Sequence, residues 1–101
     1  MSPLDIVKFS SAFAHWAVKT SGKNNIVIGR DGRPSGEMVG NLVKGAVTAM
    51  GIDIIDLGLS TTPTVEMAVA MENAAGGIII TASHNPVEWN ALKLVNNLGE
   101  F

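Results

Sequence analysis

The sequence predicts an α/β protein: three layers, α/β/α, around a mostly parallel mixed sheet of about four strands with helices on both faces. Two observations lead there. Short apolar runs, Ile26-Val27-Ile28, Ile52 to Leu57 and Gly77-Ile78-Ile79-Ile80, have the length and β-branched content of buried strands. Between them lie stretches whose apolar residues recur every three or four positions, each opened or closed by capping residues. Helix and strand therefore alternate, which is the pattern of parallel strands joined by packed helices.

Each element has its own signal. Ser2-Pro3-Leu4-Asp5 predicts a helix start, with a serine cap, proline in the first turn and a carboxylate three residues after the cap. Ile6, Phe9, Phe13 and Trp16 then fall on one face, and Gly22 marks the stop. Asn25 to Gly29 reads as the first strand. Ser35 is expected to cap a second helix carrying Val39, Leu42, Val43, Ala46 and Met50 on one side, closed by Gly51. Ile52 to Leu57 is the second strand. Thr62-Pro63 starts a third helix, which runs to about Asn73 through Val65, Val69 and Met71. Gly77 to Thr81 is the third strand, Leu92 to Val95 a fourth, and Asn96 to Gly99 a turn. The methionines and Trp16 are expected in the core, His15 at the surface or in packing.

Bulk properties narrow the function classes. A chain of 101 residues is at most one domain with one modest core. The net charge of −2 and the lack of any Lys/Arg block argue against nucleic acid or an anionic membrane as partner. No cysteine is present, which removes disulfides and thiolate metal sites and suits the cytoplasm. No apolar run approaches the ~20 residues of a membrane span, and the N-terminus lacks a signal-peptide layout. There is neither a Walker lysine loop nor a Gly-x-Gly-x-x-Gly sequence.

Parallel strands place their following loops along one edge, where open α/β sheets bind ligands. Those loops are Gly29 to Arg33, Gly58 to Pro63 and Thr81 to Pro86. Ser83 is a candidate nucleophile there, although a serine in Ser-His-Asn-Pro equally serves as a turn cap. His84 is a candidate acid or base near neutral pH, or a loop histidine bonded to a carbonyl. Arg30 and Arg33 suit phosphate oxygens, or else pair with Asp31 and brace the loop. Lys93 follows Ser83 by ten residues; if the chain doubles back at Pro86 to Asn90, its ammonium reaches the serine, and otherwise it is a solvated edge-strand lysine. A hydrolase triad is disfavoured, because no Gly-x-Ser-x-Gly elbow exists. Asp53 and Asp56 point to opposite faces of a strand and make poor metal co-ligands, while Asp56 is placed to bond a loop.

Taken together, these segments resemble the first domain of the α-D-phosphohexomutases, the phosphoglucomutase, phosphomannomutase and phosphoglucosamine mutase superfamily. Val27 to Gly36 is similar to the family's Gly-Arg-Asp-x-Arg-x-Ser segment, and Asp56-Leu57-Gly58 with Thr62-Pro63 to its second loop. Gly77 to Pro86, with Asn90 and Lys93, is similar to its active-site signature. The resemblance implies that Ser83 is the phosphorylated serine, exchanging a phosphoryl group with a hexose monophosphate through a bisphosphorylated sugar. It implies that His84 and Lys93 transfer protons and contact phosphate, that Arg30, Arg33, Asn85 and Asn90 bind substrate or phosphate, and that Mg²⁺ is held through the Ser83 phosphate. A hexose bisphosphate would be the activator, and glucose, mannose or glucosamine phosphate the substrate, with Glu88 to Lys93 leaning toward a glucosamine-type or dual-specificity member.

Three departures from the family pattern set further expectations. Ala91 stands where glycine usually follows the motif's asparagine. The N-terminal Gly-Ile-Arg-Gly-like strand and loop are missing, and an uncovered sheet edge that drives self-association is expected from that. The Asp-Gly-Asp metal loop, the sugar-specificity loop and the C-terminal phosphate-binding domain are expected to lie beyond Phe101. The sequence is thus expected to be a single incomplete domain over residues 1–101, inactive alone. A non-catalytic phosphate- or phosphosugar-binding α/β module is the alternative, and a structural α/β piece the third reading.

Overall fold

The computed structural model describes residues 3–30, 34–81 and 91–100; at residues 3, 34–37 and 91 it describes the backbone only. The elements are α1 (Pro3–Ser21), β1 (Asn25–Arg30), α2 (Pro34–Ala49), β2 (Asp53–Leu59), α3 (Thr62–Met71), β3 (Gly76–Thr81) and β4 (Ala91–Val95). The strands lie in the order β2-β1-β3-β4. β1 pairs parallel with β2 and with β3, and β4 returns antiparallel along β3. This is the predicted mixed sheet, and β2 and β4 are its outer strands among the described residues.

The sheet separates two cores. Ile26 and Ile28 of β1 and Ile78 and Ile80 of β3 pack under α1 and α2, together with Val39, Val43 and Val47. Val27, Ile79 and Val95 face the other way, against Val65 and Val69 of α3. Both faces of β1 and β3 are therefore covered, and their runs are apolar throughout rather than alternating.

The turns follow their residues. Gly22 and Gly51 take positive φ (75° and 77°) and end α1 and α2. Asn96 accepts amide hydrogen bonds from Leu98 and Glu100 on its side-chain oxygen, which holds the turn after β4. Among the described residues no helix is long and apolar enough to cross a membrane.

Several expectations need correction. The buried stripe of α1 is Ile6, Ser10, Ala14 and Ala17, with Phe13 half-buried beside it; Phe9 and Trp16 are 57% and 52% exposed. α1 comes close to β3 at Gly76, where a Cβ would lie 3.0 Å from Phe13 and 3.4 Å from Ala17. Ser10 is tolerated there because its hydroxyl donates to the Ile6 carbonyl at 2.6 Å. Met38, Met50, Met67 and Met71 are exposed, not core. On α2, Val47 is buried while Met50 is not. Ser35 lies inside α2, which begins at Pro34; proline's fixed φ suits the first helical position. His15 is exposed.

Candidate functional site at the carboxyl ends of the strands

Because β1, β2 and β3 run parallel, Arg30, Leu59 and Thr81 all finish at one rim. Arg30 is in register with Ile80 and shares its face, the one covered by α2. Gly40 of α2 sits over the pair: a Cβ there would lie 3.6 Å from Ile80 Cδ1 and 3.7 Å from Arg30 Cδ. Between α2 and the ends of β1 and β2 lies a pocket of about 130 Å³, lined by Arg30, Asn41, Lys44 and Asp56 among others.

Asp56 organises this corner. Its Oδ1 accepts the Gly58 amide at 2.8 Å and its Oδ2 accepts Lys44 Nζ at 3.0 Å. The Gly58 hydrogen bond, followed by Lys44, holds the Asp56 carboxyl below its ordinary value. Between Asp56 and Gly58 the β1–β2 register shifts by a bulge, and Gly58 has φ 66°. A carboxylate bonding the amide two residues on, with glycine at the positive φ, is what such a local turn requires. The bulge lets the chain keep pairing, so that Ser60 N donates to the Arg30 carbonyl at 2.9 Å.

The opposite face of the rim is built by α3. Thr61 is its N-cap, accepting from Thr64 N at 3.3 Å, and Pro63 fills the first turn. Ser60 Oγ bonds the Gly58 carbonyl at 3.2 Å. These hydroxyls hold the turn and cap the helix. Gly29 must be small here, since a Cβ would sit 2.5 Å from Val65 Cγ2 and against Ser60 Oγ.

Thr81, the last residue of β3, pairs with Ala91, the first of β4, at the rim. Lys93 is in register with Ile79, two residues back from Thr81, and is exposed. Its neighbour Val95 belongs to the α3 core, so Lys93 lies on the α3 face and Arg30 on the α2 face. Ser83, His84, Asn85, Asn90 and Arg33 lie outside the described residues. Of the sequence-derived site residues, the structure thus places Arg30 and Lys93, near one rim but on opposite faces of the sheet. Sequence reasoning did not single out Asn41 and Lys44. Their signal was spacing of three on the helix after β1, on the side that faces Asp56.

Among the described residues no group of three or more His, Asp or Glu side chains is placed to hold a metal ion.

The family model for "Phosphoglucomutase/phosphomannomutase, alpha/beta/alpha domain I" matches residues 1–100. The chain belongs to this family. It is 39% identical over 101 residues to a phosphoglucomutase/phosphomannomutase of Thermococcus kodakarensis, a match covering 98% of this chain and 22% of the relative. It is 35% identical over 99 residues to a phosphoglucosamine/phosphogalactosamine mutase of Sulfurisphaera tokodaii (98% and 21%). It is 43% identical over 74 residues to a phosphoglucosamine mutase of Levilactobacillus brevis (73% and 16%). The crystal structure of a phosphoglucomutase/phosphomannomutase family protein from Burkholderia thailandensis superposes with a TM-score of 0.79 at 26% identity, over 97% of this chain and 23% of that one. The chain thus spans about a fifth of the length of the full-length proteins it matches.

Proposed function

We propose that this chain is the serine-bearing first domain of a phosphohexomutase that interconverts hexose 1-phosphates and 6-phosphates. The observation that carries the reading is the rim: three parallel strands end side by side, and β3 ends at Thr81, two residues before Ser83 in the sequence. Ligands of open α/β sheets bind at such carboxyl ends. Membership of the family and the names of relatives about five times longer support the same reading.

The chemistry balances with the residues named. Ser83, once phosphorylated by a hexose bisphosphate, gives its phosphoryl group to the free hydroxyl of a hexose monophosphate. The bond from phosphorus to Ser83 Oγ breaks as the bond to the sugar oxygen forms. His84 takes the sugar hydroxyl's proton, and Lys93 returns one to the departing Oγ. The bisphosphorylated sugar then turns over, and its other phosphate passes back to Ser83. Arg30, Arg33, Asn85 and Asn90 hold phosphate and sugar oxygens, which is the positioning that phosphoryl transfer chiefly needs. The sugar is proposed to be a glucosamine phosphate, a substrate that the names of two relatives support. The chain by itself is proposed to be inactive, its location cytoplasmic, and its outer strand β2 an edge at which copies associate.

Intact-mass measurement tests the central step. The complete mutase containing this chain is incubated with glucose 1,6-bisphosphate. A gain of one phosphate that disappears in Ser83→Ala is expected. If the wild-type mass does not change, covalent shuttling is wrong and a non-catalytic phosphosugar-binding module takes its place. Hexose phosphate turnover by the 101-residue chain alone would overturn the proposed inactivity. A monomeric sedimentation profile at high concentration would remove the edge association.

A further inference from the structure

We infer that Asp56 is a positioning residue for Arg30: it holds the turn that ties down the end of β1, and so fixes where the arginine meets a phosphate oxygen of the substrate. The role of Arg30 as that contact belongs to the phosphohexomutase reading, on which this rests. Asp56 acts only through it. β2 has to recover from an irregularity before it reaches the rim. The β1–β2 register shifts between Ile28 and Gly29, and a bulged strand bends where its ladder is disrupted. Here the pairing resumes, with Gly29 opposite Gly58 and Arg30 opposite Leu59.

Asp56 supplies the recovery. Its Oδ1 accepts the amide of Gly58, two residues on, at 2.8 Å, which closes a local turn. Gly58 takes the positive φ of 66° there, open to glycine without a steric cost. Ser60 then donates its amide to the Arg30 carbonyl at 2.9 Å, while its hydroxyl bonds back to the Gly58 carbonyl at 3.2 Å. Gly29 leaves room for that hydroxyl, because a Cβ there would lie against Ser60 Oγ. The carbonyl of the last β1 residue is thus held by an amide that follows the Asp56 turn. On the other carboxylate oxygen, Lys44 Nζ at 3.0 Å joins α2 to the same corner. The Gly58 amide first, then Lys44 and last the Arg30 charge favour the ionised carboxylate. Asp56 therefore links β2, α2 and the end of β1. Its bonds are exposed, so the fold survives their loss, whereas binding and catalysis respond to small displacements of a contact group.

The test uses the complete mutase containing this chain, as Asp56→Ala and Asp56→Asn. Alanine removes the acceptor; asparagine keeps an oxygen for the Gly58 amide and drops the charge. Amide hydrogen exchange reads the tether directly. The Ser60 amide should exchange about fivefold faster in Asp56→Ala, as one weakened hydrogen bond requires, and at the wild-type rate in Asp56→Asn. Steady-state kinetics read the consequence. KM for the hexose phosphate should rise about tenfold in Asp56→Ala, the worth of one charge-assisted contact, with kcat within about twofold of wild type. Asp56→Asn should restore that KM. A wild type whose Ser83 gains no phosphate from glucose 1,6-bisphosphate overturns the mutase reading and this role together. Where wild-type Ser83 is phosphorylated, unchanged Ser60 exchange in Asp56→Ala, an unchanged KM, or losses that asparagine does not restore would each overturn this role alone.

Discussion

The two faces of this sheet are built on opposite principles. Under α1 and α2 the strands present large side chains, Ile26, Ile28, Ile78 and Ile80, and two helices cover them. Under α3 the strands are thinned by glycine. A Cβ on Gly77 would lie 2.8 Å from Val69 Cγ2, and one on Gly29 2.5 Å from Val65 Cγ2. A single ten-residue helix covers this second face only because Val65 and Val69 sit directly on backbone. The first face gains mainly from filled volume, with a close approach where α1 meets Gly76, and the second gains from close approach at both Gly29 and Gly77. The rim inherits the difference: the isoleucine face keeps a charged crevice beside α2, and the glycine face brings the capped N-terminus of α3 against Gly29.

Shrinking a side chain on the first face should have the largest effect. Ile78→Ala is expected to cost about 2–5 kcal/mol in denaturant unfolding, because Ile78 is fully buried and its cavity cannot collapse against two helices. Growing one on the second face comes next: Gly29→Ala should cost about 1–3 kcal/mol by overpacking. A double-mutant cycle sharpens the contrast. Val65→Ala in the Gly29→Ala background should recover part of that loss, and strictly additive costs would show that the close contact is not what matters.

On the outer surface the contrast should vanish. Trp16→Ser is expected to change stability by no more than about 0.5 kcal/mol, since the side chain is half exposed; a larger loss would restore Trp16 to the core. At the rim, Asp56→Asn should lower stability by less than about 1 kcal/mol, because Lys44 and Asp56 are both substantially exposed and screened. The Asp56 carboxyl is held below its ordinary value, so its contribution is present above the unfolded-state value near pH 4. It is lost as the pH falls through the folded-state value. The stability difference between wild type and Asp56→Asn should therefore be constant at neutral pH and disappear in acid. A difference that persists unchanged in acid would place the effect in the Gly58 turn rather than in the charge.

Much of this was readable in the residues. Gly22, Gly51 and Pro63 act within one turn of themselves, so their punctuation needs no tertiary information. The runs Ile26 to Ile28 and Ile78 to Ile80 announce strands buried on both sides. Trp16 and Phe9 misled because periodicity identifies an apolar face without saying how near its partner comes. One such approach is at Gly76, which meets Phe13 and Ala17 and lies far along the chain. The site divides likewise: Arg30 follows its strand visibly, whereas Lys44 joins it only when α2 folds back across β1 and β2.

Local sequence therefore determined which segments are helix or strand, where most of them stop and which residues stand at the strand ends, because capping, φ preference and burial pattern act over a few residues. Tertiary structure decided which helix face is buried, which glycines are contact surfaces, and that Arg30 and Lys93 lie on opposite sides of one sheet. Those depend on the distance between elements and on strand register, and neither quantity is a property of any single stretch of the chain.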